Sequence, residues 1–546
     1  MTEGTPWWRD AVIYQVYPRS WSDSDGDGIG DLPGITARLD HLADLGVDAI
    51  WLSPFYPSPQ HDAGYDVSDY RDVDPLFGTL ADFDALVARA HELALRVIVD
   101  VVPNHTSADH RWFRAALAAA PGSPERARYV FREGRGDGSE PPNNWVSLFG
   151  GPAWTRLDDG TWYLHLFDAS QPDLDWTNPE VGDEMEDVLR FWLDRDVDGF
   201  RIDVAHGMAK ADGLPDADLS LDPHRAETSL LPMWDQPAVH DIYRRWRRLV
   251  DTYDGDRLLV AEAWVEPPEA LARYVRADEL HQSFNFHFLL TAWRADALRR
   301  SITESLTNAA AVDAPQTWVL SNHDVVRHAS RLGLPDVEQV MPEGGIGPDD
   351  VQPDPVLGLR RARAATALML ALPGSAYLYQ GEELGLPDAT LLPDDVRQDP
   401  TFFRRTDETD GVGRDGCRVP VPWESDQPSF GFGPTERSWL PQPAEFGDLA
   451  PDRQRDVEGS TLELYRTLLR LRREHGLGSR RLDWLDLGPD VVAFDLIGDG
   501  GTTRVVANLG DTAVHLPDGF ETLVLSGPTD DGRLPTDTTA WIRPAG

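Results

Sequence analysis

Eight short apolar runs, rich in β-branched and aromatic residues, recur along the chain, and most are separated by amphipathic helical stretches. In order they are AVIYQVYP (11–18), VDAIWLSP (47–54), RVIVDVVPNH (96–105), VDGFRIDVA (197–205), RLLVAEAW (257–264), HQSFNFHFLL (281–290), QTWVLSNHD (316–324) and SAYLYQGEELG (375–385). The stretches between them include ITARLDHLADLG, LADFDALVARAHELA and VGDEMEDVLRFWLDRD, whose apolar residues return at the helical period. Strands alternating with helices build a parallel sheet, and eight is the number that closes a barrel. The pattern predicts an α/β chain folded as a (β/α)8 TIM barrel.

Three intervals are too long for a single helix. Residues 105–177, rich in Gly, Pro and Trp, read as an inserted loop-rich subdomain, subdomain B, which divides the barrel into 1–104 and 178–476. Further excursions span 206–238 and 386 to about 458. The last barrel helix is TLELYRTLLRLRREHG, with Gly476 as its stop. Beyond it LDWLDLGPDVVAFDLIG and TTRVVANLG alternate apolar and polar residues, which predicts a C-terminal antiparallel β domain over 477–546.

Composition narrows the partners. The chain carries 93 Asp plus Glu against 50 Lys plus Arg, a net charge of −43, and such a surface repels phosphate backbones and anionic lipid. Neutral small molecules are expected as partners, with no nucleic acid and no membrane. No apolar run approaches the roughly 20 residues that span a bilayer. The N-terminal stretch shows no basic-then-apolar leader, and Cys417 as the single cysteine allows no intrachain disulfide, so a cytoplasmic monomer or homodimer is expected.

The strand ends carry the chemistry. In such barrels, side chains at the C-terminal ends of the strands converge on one mouth. Here those ends supply Asn104 and His105, Arg201 and Asp203, Glu262, then Asn322, His323 and Asp324. Each buried charge without a partner costs several kcal/mol, on the order of the whole stability of a domain, so three carboxylates in one pocket need a use. Metal-dependent hydrolysis finds no H-x-H or H-E-x-x-H spacing of the usual zinc type. Glycoside hydrolysis fits better, because it needs one carboxylate as nucleophile and a second carboxyl kept protonated for the leaving oxygen.

Four motifs in order, DVVPNH (100–105), GFRIDVAH (199–206), EAW (262–264) and SNHD (321–324), resemble the α-amylase family of retaining α-glycosidases over essentially the whole chain. The resemblance implies Asp203 as nucleophile, oriented by Arg201, with Glu262 as general acid/base. It further implies Asp324 as the third carboxylate, binding sugar hydroxyls, and His105 and His323 as hydroxyl-binding histidines.

QPDLDW (171–176), HDAGYDVSDY (61–70) and GRDGCRVPVPW (413–423) resemble the oligo-1,6-glucosidase and α-glucosidase branch. By that likeness Tyr65 stacks on the glucose ring, Asp62 grips the non-reducing-end hydroxyls, and Arg418 pairs with Asp62 to close the pocket, with Arg414 as its nearest rival. Phe149 and Phe167 either line the leaving-group side or pack in the core. Val204 after the nucleophile resembles α-1,6-active members, whereas the surrounding RIDVAHG resembles maltose-cleaving ones, so linkage stays open. The function implied is an exo-acting α-glucosidase, with an oligo-1,6-glucosidase, a transglucosylase or a sucrose isomerase as alternatives on the same glucosyl-enzyme. A non-catalytic relative would have lost carboxylates that are all present here.

The acidic loop DSDGDGIGD (23–31) has the look of an EF-hand, but the twelfth position, which needs a bidentate Glu, is Gly34. It resembles instead the branch's metal loop after strand one. That likeness implies Asp23, Asp25, Asp27, the Ile29 carbonyl and Asp31 as ligands of a structural Ca²⁺ or Mg²⁺, which suits hard oxygen donors.

Overall fold

The computed structural model describes residues 5–221, 230–335, 342, 344–404, 411–498, 500–529 and 531–545. The excursions at 206–238 and 386–458 therefore include stretches, 222–229 and 405–410, that lie outside the described residues. Eight parallel strands form one sheet: β1 (Val12–Val16), β2 (Ala49–Leu52), β3 (Arg96–Val101), β4 (Gly199–Ile202), β5 (Leu258–Ala261), β6 (Gln282–Ser283), β7 (Thr317–Val319) and β8 (Ser375–Tyr379). Their order is β7-β8-β1-β2-β3-β4-β5-β6, and the Asn285 N–H donating to the Thr317 carbonyl at 3.1 Å brings the two ends together.

Every strand run expected from the sequence contains one of these strands, but HQSFNFHFLL holds only two strand residues. The Asn285 side chain accepts from the Phe288 N–H and starts a helical turn, Phe286–Leu289, which ends the strand early.

Alternation along each strand separates two cores. Ile13, Trp51, Ile98, Val260 and Tyr377 fill the barrel interior, while Val12, Ile50, Val99, Phe200 and Leu378 pack outward beneath the helices. Among those helices, Leu80–Glu92 opens on a capping box in which Thr79 and Asp82 satisfy each other's backbone N–H groups. Another, Thr461–Glu474, is capped by Ser460 and ends just before Gly476.

Between β3 and β4 the chain builds a helix, Arg111–Ala118, and a three-stranded antiparallel sheet of Phe131–Glu133, Trp154–Arg156 and Thr161–Leu164. The C-terminal part forms a five-stranded antiparallel sheet from Arg481 to Pro544. It docks on the barrel helix Pro355–Met369, where Trp541 Nε1–H donates to the Ala367 carbonyl at 2.8 Å. Among the described residues no helix is long and apolar enough to cross a membrane.

Candidate active site

The site rises from the register of β3 and β4, which sets Asp100 and Arg201 side by side. Arg201 Nη1 donates to both Asp100 oxygens (2.9 and 3.1 Å) and to Asp203 Oδ1 (2.6 Å), and Nη2 lies 2.7 Å from Glu262 Oε2. One guanidinium thus serves three carboxylates. Burial raises Asp203 well above the usual carboxylate range and Asp100 to about 7, with Arg201 opposing both shifts. Asp100 and Asp203 thus share Arg201 as their buried cation.

Val204 follows Asp203 with φ 44°, a left-handed conformation that β-branched residues avoid. The turn points its N–H at Glu262 Oε2, 3.0 Å away, while Trp264 Nε1–H donates to Oε1 at 3.2 Å. At the end of β7, Asp324 Oδ1 accepts from Arg414 Nη1 (2.8 Å) and Arg418 Nη2 (2.9 Å). Burial alone would raise Asp324, but the Arg414, Arg418 and Arg201 guanidiniums hold it well below the usual range. Burial keeps His323 neutral. Gln15 Nε2–H donates to its Nδ1 at 2.7 Å, so its proton sits on Nε2, 3.1 Å from Asp324 Oδ2.

A second buried network orients His105. Lys210, the one lysine of the sequence, donates to Asn104 Oδ1 (2.8 Å) and lies 2.7 Å from Asp173 Oδ2. That fixes the Asn104 amide with its Nδ2 toward Asp173 (3.1 Å) and His105 Nδ1 (3.2 Å), while His105 Nε2 lies 3.3 Å from the Tyr65 carbonyl and 3.1 Å from Gln171 Nε2. Tyr65 lies parallel to His323 with ring centroids 5.2 Å apart, and its hydroxyl donates to Asp100 at 3.1 Å. Phe167 stands 5.0 Å from the His105 ring and 5.9 Å from Phe149.

The loop after β8 corrects one expectation. Arg418 does not pair with Asp62; it is buried, donating to the His323 carbonyl (2.8 Å) and to Asp324. Arg414 takes the expected role, with Nη2 on Asp62 Oδ1 at 3.0 Å and Nε on Asp399 at 2.6 Å. Asp62 also accepts from Gln171 Nε2 at 3.1 Å.

Residues 15–479 match the model of the alpha-amylase catalytic domain, and 479–541 match a domain of unknown function, DUF3459. The chain belongs to the alpha-amylase family. It is 39% identical to a probable alpha-glucosidase of Rhizobium meliloti, over 89% of this chain and 86% of that one. Among solved structures it resembles the alpha-glucosyl transfer enzyme XgtA (37% identity, TM-score 0.85, 99% and 100% of the two chains). It also resembles the trehalulose synthase MutB of Pseudomonas mesoacidophila MX-45 (31%, TM-score 0.85, 99% of each). This family member is a glycoside hydrolase.

Away from the family's carboxylates, the loop after β1 brings three of the expected ligands together. Asp23, Asp25 and Asp27 bring carboxylate oxygens within 4.8 Å of one another. Gly26 (φ 86°) and Gly28 (φ 97°) permit the tight turn, and their N–H groups donate to Asp23. Asp31, expected as a fifth ligand, turns Oδ1 to the Gly34 N–H as cap of the helix Leu32–Leu45 and Oδ2 to Ser24.

Asp100, Gln171, Lys210 and Asp399 are site residues that the strand-end argument passed over. Asp100 had a signal: in DVVPNH it falls on the same face of its strand as the inward-facing Ile98, and it pairs in register with Arg201.

Proposed function

We propose that the chain is an exo-acting, retaining α-glucosidase that releases glucose from the non-reducing end of short α-glucosides such as maltose. The observation that carries this reading is the Arg414 bridge, one nitrogen on Asp62 and another on Asp324, which shuts the glucose site at its far end. A pocket closed there accepts chain ends, and the α-glucosidase relative supports the substrate class.

In the proposed reaction Asp203 attacks the anomeric carbon while Glu262 protonates the departing oxygen. Adjacent nitrogens of one guanidinium hold these two carboxyls, which supports the close spacing of about 5 Å used by retaining enzymes rather than the wider gap that admits a water. Glu262 then deprotonates the water that releases glucose with its configuration kept. Asp62, Asp324, His105 and His323 accept or donate to the sugar hydroxyls, Tyr65 supplies an apolar ring face, and Phe167 borders the leaving-group side.

An oligo-1,6-glucosidase differs only in linkage, and Val204 speaks for neither. The likeness to a glucosyl transfer enzyme and a trehalulose synthase favours a second reading, in which a sugar rather than water intercepts the glucosyl-enzyme. Time courses of products from maltose, isomaltose and sucrose separate them. Glucose first from maltose supports hydrolysis; larger oligosaccharides or an isomerised sucrose first would replace it with transfer.

We further propose that Asp23, Asp25 and Asp27, with the Ile29 carbonyl, hold one Ca²⁺ or Mg²⁺. The donor set fits: all are hard oxygens, and burial, with repulsion from Asp27 and Asp25, raises Asp23 in a way that a cation would relieve. The ion's part would be to stiffen the loop.

A further inference from the structure

We infer that Trp264 is a positioning residue for the general acid, and that the proton Glu262 transfers is carried on Oε1. The inference rests on the assignment of Glu262 as acid/base. Oε2 already lies 2.7 Å from the cationic Arg201 Nη2 and accepts from the Val204 N–H at 3.0 Å. An oxygen facing two donors, one of them cationic, is the ionised partner and a poor place for a proton. Oε1 faces the Trp264 Nε1–H at 3.2 Å. That contact is compatible with either state: a protonated Oε1 keeps a lone pair for the indole, and an ionised Oε1 binds it more strongly.

The indole itself is held. Its ring lies flat on Phe286, centroids 3.8 Å apart and planes 5° from parallel, and Phe286 packs into the barrel interior with Phe284. A rigid donor aimed at Oε1 fixes the torsion of the carboxyl and so the direction in which the proton leaves. As the glycosidic C–O bond breaks and Asp203 bonds to the anomeric carbon, the proton passes from Oε1 to the leaving oxygen. Negative charge then appears on Oε1, and the indole bond strengthens in the transition state relative to the ground state. In the second half the same oxygen takes a proton from water.

The test separates acid positioning from general damage by the leaving group. Maltose needs its leaving oxygen protonated, whereas α-D-glucosyl fluoride departs with little help. In the full chain, Trp264→Phe keeps a ring on Phe286 and removes the N–H. We expect kcat/KM for maltose to fall about ten- to a hundred-fold, the scale of a hydrogen bond to a charged group. For the fluoride it should stay within about three-fold, and that turnover also shows that the variant folds. Equal falls on both substrates, or no fall on either, would overturn the role of Trp264. Glu262→Gln is measured alongside. If it shows the same selective loss, the acid assignment stands and the Trp264 result is read on its own; if it spares maltose, the assignment of Glu262 fails, and the inference with it.

Discussion

Arg414 and Asp62 meet at 3.0 Å although 352 positions separate them in sequence, and the same guanidinium reaches Asp324 at 2.8 Å. Two carboxylates on opposite sides of the pocket are therefore locked by one side chain, itself braced by Asp399. Arg414→Met should raise KM for maltose by about ten- to a hundred-fold, since a charge-assisted contact and its buried partner are both lost. Unchanged steady-state kinetics would remove Arg414 from the glucose site.

Asp203→Ala should lower kcat for maltose by at least about a thousand-fold, the scale seen when a covalent nucleophile is deleted. The fold should survive, because Arg201 keeps Asp100 and Glu262 as partners. A thermal melt close to wild type, together with absent glucose release, is the expected pair of results.

Burial pushes Asp62 up to about 6, against the pull of Arg414 and Arg418. Above that pH the group is ionised and can accept from both Arg414 and a sugar hydroxyl; below it the proton removes that capacity. KM for maltose should accordingly be flat above about pH 7 and rise as the pH falls through 6. Asp62→Asn should show a high KM with no inflection there, and an inflection that persists in this variant would belong to another group.

Lys210→Met leaves Asp173 and Asn104 without their buried cation. Removing one partner of a buried pair costs about 3–5 kcal/mol, so the melting temperature should fall by several degrees. KM should rise as well, because the Asn104 amide that faces His105 loses its anchor. Differential scanning calorimetry and a maltose titration read the two effects separately.

Chelation with EDTA should lower the melting temperature of the wild-type chain, and added Ca²⁺ or Mg²⁺ should restore it, since a ligand that binds only the folded state stabilises it. The double variant Asp25→Ala, Asp27→Ala should melt at one temperature with or without chelator. An equal chelator response in both would move the ion elsewhere or dispense with it.

The barrel and the positions of its carboxylates were legible because they follow from periodicity. A strand shows as a run, and its C-terminal end has one destination. Asp203, Glu262 and Asp324 could be placed at the mouth on that ground alone. Arg414 and Arg418 could not be told apart the same way, since both sit in one irregular loop, where four residues decide which side chain reaches Asp62 and which turns under His323. Asp31 is a similar case: an aspartate before an apolar run can serve as a ligand or as a helix cap, and the cap is the role the backbone displays. Lys210 stood out as the sole lysine, but its partner Asp173 belongs to the inserted subdomain, and only the fold brings the two together.

With its one lysine side chain buried against Asp173, the molecule offers no lysine amine on its outer surface. Aldehyde fixatives, acylating dyes and reducing sugars all attack lysine amines, and here they meet none on the outside. If the product is glucose, as proposed, it meets no surface lysine on the enzyme to glycate.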